Sequence, residues 1–150
     1  MKQLFILDLD HTVIYGSFAE SESAMLLFRY HQYLTVYERP LARELIKLCQ
    51  EKGTVMVYTT ALRRYAKMIC NSLDINPVEL LSRKNCLTQD GKHKKQIKAE
   101  WLENYDKIVI IDDSPNVWLT ENEKIEFLVP DEFRGKLEDL GLQKIIETIK

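Results

Sequence analysis

Short, largely apolar runs alternate along this chain with segments in which apolar residues recur at helical spacing. The runs have the branched and aromatic composition of buried β-strands and occupy residues 3–9, 54–58, 107–111 and 125–129. Helical spacing follows Pro40, a residue favoured in the first turn of a helix, and again follows Leu62. Strands that are buried on both faces and alternate with amphipathic helices are typical of a parallel sheet covered by helices on two sides. We therefore predict an α/β fold with three layers, α/β/α.

Three further segments are predicted to be helical. They are residues 94–104, the turn that begins at Ser114 and Pro115, and the tail from Gly135. Residues 20–37 fit two structures, a helix by propensity or an aromatic-rich hairpin inserted after the first strand. Periodicity alone does not decide between these two structures.

The composition indicates one globular domain over residues 1–150. The chain is 45% hydrophobic and 29% charged, which excludes a disordered or collagen-like chain. No apolar stretch approaches the length needed to cross a membrane, so we expect no membrane association. Three cysteines, Cys49, Cys70 and Cys86, lie far apart and form no C-x-x-C pair, which is typical of a reducing compartment. We therefore expect a cytoplasmic location.

Carboxylates stand at the ends of two predicted strands, with Asp8 and Asp10 after the first and Asp112 and Asp113 after the third. In parallel α/β sheets, binding sites form beyond the carboxyl ends of the strands. Each carboxylate alone is as readily explained by turn or helix capping. Four together repel one another unless a proton or a cation lies between them. A hard divalent cation with oxygen ligands suits such a cluster, and Mg²⁺ fits best because it also binds substrate phosphate.

The order of these motifs resembles the haloacid dehalogenase superfamily. DLDHT resembles its D-x-D-x-T signature, Thr59 after an apolar strand resembles its second motif, Lys95 its third and IIDDSP its fourth. The blocks RPLARELIKL, VMVYTTALRRYA and IVIIDDSP are similar to those of the small phosphatases that act on the RNA polymerase II C-terminal domain, the NLI-interacting factor-like branch. The resemblance spans about residues 3–130 and implies a Rossmann-like fold and phosphatase activity.

The resemblance also implies roles for single residues. Asp8 matches the nucleophile that forms an aspartyl-phosphate. Asp10 matches the general acid and base that protonates the leaving group and then activates water. Thr59 matches the hydroxyl that binds a phosphoryl oxygen, and Lys95 matches the ammonium that neutralises the transferring group.

The same resemblance implies a Mg²⁺ site that comprises Asp8, Asp10, Asp112 and Asp113. Asp113 matches the metal ligand, and Asp112 matches the neighbour that holds the lysine or supports the metal. Asp10 is expected to contribute its backbone carbonyl.

Three positions depart from the branch or leave the alignment open. His11 stands where the branch often has Glu, and Asp113 stands where it has Asn. The catalytic lysine is Lys94, Lys95 or Lys98, of which Lys95 fits the branch pattern best.

The site is predicted to be open. The intervals 11–58 and 60–94 are too short for a full lid domain, so the fold is expected to be capless. An open site accepts a phosphate on a large partner, and we expect a phosphorylated protein or peptide, by resemblance on serine or threonine. Residues 83–98 contain six basic residues and one acid in a chain of net charge −2, which keeps a nucleic acid end as an alternative substrate.

Three other functions are considered. A polynucleotide 3′-phosphatase or a nucleotidase would use the same chemistry. A receiver-like phospho-acceptor is disfavoured because its acidic pair precedes the acceptor, and here the pair comes last. A non-catalytic binding module is disfavoured because no member of the catalytic set is missing.

Overall fold

The computed structural model describes residues 1–19 and 24–150. Its elements in chain order are β1 (Gln3–Leu7), β2 (Ile14–Ser17), β3 (Met25–Tyr30), β4 (Leu34–Glu38), α1 (Ala42–Lys52), β5 (Thr54–Tyr58), α2 (Arg63–Ser72), β6 (Leu80–Leu81), β7 (Leu87–Gln89), β8 (Lys92–Lys94), α3 (Ala99–Asn104), β9 (Lys107–Ile111), β10 (Ile125–Leu128) and α4 (Gln143–Ile149). Within this part of the chain, no helix is both long enough and apolar enough to span a lipid bilayer.

The central sheet has five parallel strands in the order β10-β9-β1-β5-β6. In its register, Leu7 at the end of β1 pairs with Val57 of β5 and with Ile111 of β9. The residues that follow these three strands therefore emerge at one edge of the sheet.

Side chains of β1 alternate between two separate hydrophobic cores. Phe5 and Leu7 pack in the core that α1, α2 and α4 cover, whereas Leu4 and Ile6 pack in the core that contains Trp101 of α3. This alternation is what a strand buried on both faces requires, because successive side chains point to opposite sides. The predicted three-layer α/β/α arrangement is confirmed.

An antiparallel sheet of three strands, in the order β2-β4-β3, is inserted between β1 and α1. The hairpin is therefore the correct alternative for residues 25–37, and residues 20–23 of the ambiguous segment lie outside the described residues. The second interval holds α2, β6 and a small hairpin of β7 and β8. Neither insertion, where it is described, is a lid domain, which agrees with a capless fold.

Three predicted helices are corrected. Residues 94–98 are not helical. The Lys95 N–H donates to the carbonyl of Val117, and the Lys95 carbonyl accepts from the Leu119 N–H, so that the backbone forms a β-bridge to Trp118 instead of a helical turn. Helix α3 begins only at residue 99. The turn after Ser114 is a single 3₁₀ turn, and the tail becomes helical only at residue 143.

Candidate active site

The carboxyl ends of the central strands bring Asp8, Thr59 and Asp112 to the same edge of the sheet. The Asp8 N–H donates to the carbonyl of Ile111 at 3.0 Å, and the Thr59 N–H donates to that of Leu81 at 3.0 Å. All three side chains are buried, with Asp8 8% exposed. Polar side chains at this depth need partners.

Lys95 is the main partner of the buried carboxylates. Its side chain is 2% exposed, and Nζ donates to Asp8 Oδ1 at 3.0 Å and to Asp112 Oδ2 at 2.8 Å. The rings of Tyr58 and Trp118 flank the ammonium, with centroids 5.8 and 5.5 Å from Nζ. Burial lowers the pKa of Lys95, but the two carboxylates outweigh burial and hold the pKa above its ordinary value. The lysine is therefore an ammonium ion between two carboxylates.

The other two candidate lysines point elsewhere. Lys94 Nζ donates to the carbonyl of Asn116 at 3.1 Å at the surface. Lys98 forms an ion pair with Glu79 at 2.9 Å, also at the surface. Of the three lysines, Lys95 is the one that contacts the carboxylates.

Asp112 is held by donors on both oxygens. Its Oδ1 accepts from the Ser114 N–H at 2.8 Å, and its Oδ2 accepts from Trp118 Nε1 at 2.9 Å as well as from Lys95. Burial, reinforced by the charge of Asp8, raises the pKa of Asp112, and Lys95 opposes this shift. These donors fix the Asp112 carboxylate in a position from which it orients the Lys95 ammonium.

Thr12 joins Asp8 to Asp113. Its hydroxyl accepts from the Asp113 N–H at 3.1 Å and lies 2.9 Å from Asp8 Oδ2 and 3.2 Å from Asp113 Oδ1. The single hydroxyl proton serves one of these two oxygens at a time. Burial raises the pKa of Asp8 above its ordinary value, and the nearby Lys95 ammonium offsets only part of this rise.

Oxygens of Asp8, Asp112 and Asp113 lie within 4.8 Å of one another. With Lys95 counted, three carboxylates and one ammonium leave a formal charge of −2. A hard divalent cation compensates such a set, so the residues fit Mg²⁺ by donor chemistry. The Asp10 side chain lies outside this group, and its expected carbonyl ligand stays a prediction.

Asp10 faces a pocket of about 310 Å³ that is also lined by Tyr30, Thr60, Tyr65 and Arg83. Burial and the nearby Asp8 charge raise the pKa of Asp10 to about 6, and interaction with the Tyr65 side chain opposes this rise. A carboxyl group with such a pKa is suited to proton transfer near neutral pH.

Thr59 has a buried hydroxyl whose Oγ1 accepts from the Ala61 N–H at 3.1 Å. Because that bond uses the oxygen as an acceptor, the hydroxyl proton remains available to donate. The bond is a turn contact and not a helix cap, because α2 begins at Arg63 with Leu62 as its N-cap, and it does not exclude phosphate binding.

Sequence reasoning missed three residues that build the site: Trp118, Tyr65 and Arg39, whose guanidinium donates to the Thr12 carbonyl at 3.0 Å. Tyr65 and Trp118 were hidden because each also fits an apolar face, and their polar atoms matter only in three dimensions. The signal for Arg39 was a charged side chain between an apolar strand and Pro40. That signal does not reveal which groups the arginine contacts.

A family model described as NLI interacting factor-like phosphatase matches residues 3–150. A probable C-terminal domain small phosphatase of Dictyostelium discoideum is 26% identical over 122 residues, and phosphatase PSR1 of Saccharomyces cerevisiae is 30% identical over 121 residues. Each alignment covers 76% of this chain, but only 39% and 28% of the two relatives. The chain therefore spans well under half the length of these relatives.

Among solved structures, Fcp1, described as an essential RNA polymerase II CTD phosphatase, matches with a TM-score of 0.64 and 21% identity. The match covers 98% of this chain and 48% of that chain. It supports the fold, because the identity is too low to carry function.

Proposed function

Because this chain belongs to the NLI interacting factor-like phosphatase family, we propose that it hydrolyses phosphomonoesters with Mg²⁺ through an aspartyl-phosphate on Asp8. The observation that carries this proposal is the buried contact of Lys95 with Asp8 and Asp112, beside a third carboxylate, Asp113. In the proposed mechanism these groups serve as an oxygen nucleophile, a fixed cation and metal-binding oxygens at one edge of the sheet.

In the first step, an Asp8 carboxylate oxygen attacks phosphorus, and the bond from phosphorus to the ester oxygen breaks. Asp10 gives its proton to the departing oxygen, so that an alcohol leaves. Lys95 and the Thr59 hydroxyl stabilise the charge on the phosphoryl oxygens. The raised pKa of Asp10 supports its role as the acid.

In the second step, water attacks the phosphorus of the aspartyl-phosphate. Asp10, now a carboxylate, takes the proton from that water, and the bond from phosphorus to Asp8 breaks. Inorganic phosphate leaves, and both aspartates return to their starting forms.

Mg²⁺, when bound by Asp8 and Asp113 with support from Asp112, supplies positive charge that neutralises the phosphate oxygens. Lys95 supplies a second positive charge, and its position between Asp8 and Asp112 is fixed before substrate binds. Trp118 and Ser114 hold Asp112 in place through their N–H groups.

The proposed substrate is a phosphorylated protein or peptide. Support comes from the capless fold, since no lid domain is formed by the described residues over the Asp10 pocket. A relative described as a probable C-terminal domain small phosphatase supports the same substrate class. A phosphorylated nucleic acid end is the competing outcome of the test.

The test is hydrolysis of p-nitrophenyl phosphate, phosphopeptides and 3′-phosphorylated oligonucleotides with added Mg²⁺. We expect hydrolysis of p-nitrophenyl phosphate and of at least one phosphopeptide, abolished in Asp8→Asn. The matched control is Asp90→Asn, an exposed aspartate in the turn between β7 and β8 whose left-handed backbone also suits asparagine. Robust turnover by Asp8→Asn, or equal activity in excess chelator, would remove the mechanism.

A further inference from the structure

A cleft of about 680 Å³ lies next to the candidate active site, between α2 and the edge strand β6. Three basic side chains line it, those of Arg63, Lys67 and Lys84. One carboxylate, that of Glu79, also lines it. The excess of positive charge marks the cleft as a place for an anionic partner.

The charges of this basic cleft are available for binding. Lys67 and Lys84 are exposed, and the side-chain ammonium of neither makes a hydrogen bond or ion pair within residues 1–19 and 24–150. Arg63 Nη1 donates to the carbonyl of Leu80 at 2.9 Å, which holds the guanidinium against the edge strand. Glu79 is paired with Lys98 at 2.9 Å, so its charge does not cancel those of the three basic side chains.

The basic cleft and the pocket that contains Asp10 are lined by residues that adjoin one another in sequence. That pocket is lined by Leu62 and Arg83, and the next residue in each segment, Arg63 and Lys84, lines the cleft. Arg83 Nε donates to the carbonyl of Thr60 at 2.9 Å, which fixes the Arg83 side chain between the pocket and the cleft. A polypeptide that leaves the pocket therefore reaches the cleft within a few residues.

We propose that the basic cleft binds anionic side chains of the same polypeptide whose phosphorylated residue occupies the Asp10 pocket. The proposal rests on the phosphatase function proposed above and adds a substrate preference: acidic or further phosphorylated sequence beside the target residue. A peptide is favoured over a nucleic acid because apolar Ile75, Pro77 and Val78 also line the cleft.

The test compares kcat/KM for matched phosphoserine peptides with neutral flanks, with Asp and Glu flanks on either side, and with a second phosphoserine. We expect wild type to prefer the anionic flanks by about tenfold, the effect of two exposed ion pairs. The double variant Lys67→Gln/Lys84→Gln should lose this preference and keep its activity on p-nitrophenyl phosphate. Comparison of the peptides that have Asp and Glu flanks with the peptide that has a second phosphoserine distinguishes carboxylates from phosphate as the negative charge that the cleft binds.

The matched control is Lys52→Gln/Lys144→Gln, which removes two exposed lysines from α1 and α4, away from the cleft. The proposal is overturned if flanking charge has no effect in wild type, if the control loses the preference equally, or if a phosphorylated oligonucleotide competes better than the acidic peptide. Peptide binding by fluorescence anisotropy tests the cleft even if no substrate is hydrolysed. Absence of turnover on p-nitrophenyl phosphate therefore counts against the enzyme function alone.

Discussion

An ion pair between the buried Arg39 and the partly buried Asp139 ties the C-terminal segment to the loop after Asp8. The Arg39 side chain is fully buried, with Nε donating to Asp139 Oδ1 at 2.8 Å and Nη2 donating to Oδ2 at 3.3 Å. The guanidinium also donates to the carbonyls of Thr12 at 3.0 Å and Asp131 at 2.7 Å. The pair thus joins the loop after Asp8, the residue that follows β4 and the C-terminal tail.

We expect Asp139→Asn to destabilise the protein by about 3 kcal/mol. Removing one partner of a buried ion pair costs ~3–5 kcal/mol, because the remaining charge stays buried without compensation. The lower end applies since the asparagine oxygen still accepts one hydrogen bond and Arg39 keeps its three carbonyl partners, those of His11, Thr12 and Asp131. For a chain of 150 residues, this loss corresponds to a fall in Tm of about 6–12 °C.

The measurement is urea unfolding of wild type and Asp139→Asn at neutral pH, followed by thermal unfolding. The matched control is Glu138→Gln, the exposed neighbour in sequence, which should change the free energy of unfolding by less than about 0.5 kcal/mol. A loss below about 1 kcal/mol for Asp139→Asn, or one no larger than that of the control, would refute the reasoning about the buried pair.

Three further predictions concern the site. Lys95→Met should lower kcat on p-nitrophenyl phosphate by about 10²–10³-fold because it removes a preorganised cation, whereas Lys94→Met should leave kcat near wild type; equal effects would contradict the assignment of the lysine. Trp118→Phe removes the indole donor to Asp112 and should lower the free energy of unfolding by about 1.5–3 kcal/mol in urea titrations, and an unchanged value would show that this bond contributes little. Mg²⁺ should restore activity after chelation and raise the Tm of wild type but not of Asp113→Ala, which lacks the ligand oxygen, since only the form that binds the ion is stabilised; an equal rise in both proteins would count against the proposed metal site.

The fold was predictable where burial fixes the pattern. The strand at 107–111 is apolar from Ile108 to Ile111 because both of its faces lie in a core, and that run is visible in the sequence. The inserted sheet was not predictable in the same way. Its strand β3 is only partly buried, so the helix and the hairpin both fitted its sequence.

The helix expected at residues 94–104 was wrong for a physical reason. Ile97 and Trp101 lie four apart and both pack in the core that covers one face of the sheet, which imitates one face of a helix. The backbone at Lys95 instead bonds to Val117 and Leu119, partners that are distant in sequence. Such pairing leaves no local signal.

The candidate site was accessible from the sequence to the extent that its residues end strands. Asp8 and Asp112 follow apolar runs, and parallel pairing then brings them to one edge. The choice among three lysines needed the structure, because it depends on which ammonium is buried. The contact between Trp118 and Asp112 likewise depends on a side-chain direction that spacing does not specify.

The central claim is that phosphorus is bonded to Asp8 during turnover. The direct measurement is acid quenching during hydrolysis of p-nitrophenyl phosphate, followed by borohydride reduction, which converts an acyl phosphate to an alcohol, and mass spectrometry of the peptide that contains residues 3–10. The account predicts reduction at Asp8, dependent on substrate and Mg²⁺, and none at Asp10. Reduction at another carboxylate, or an unmodified Asp8 in samples that are turning over, would contradict it.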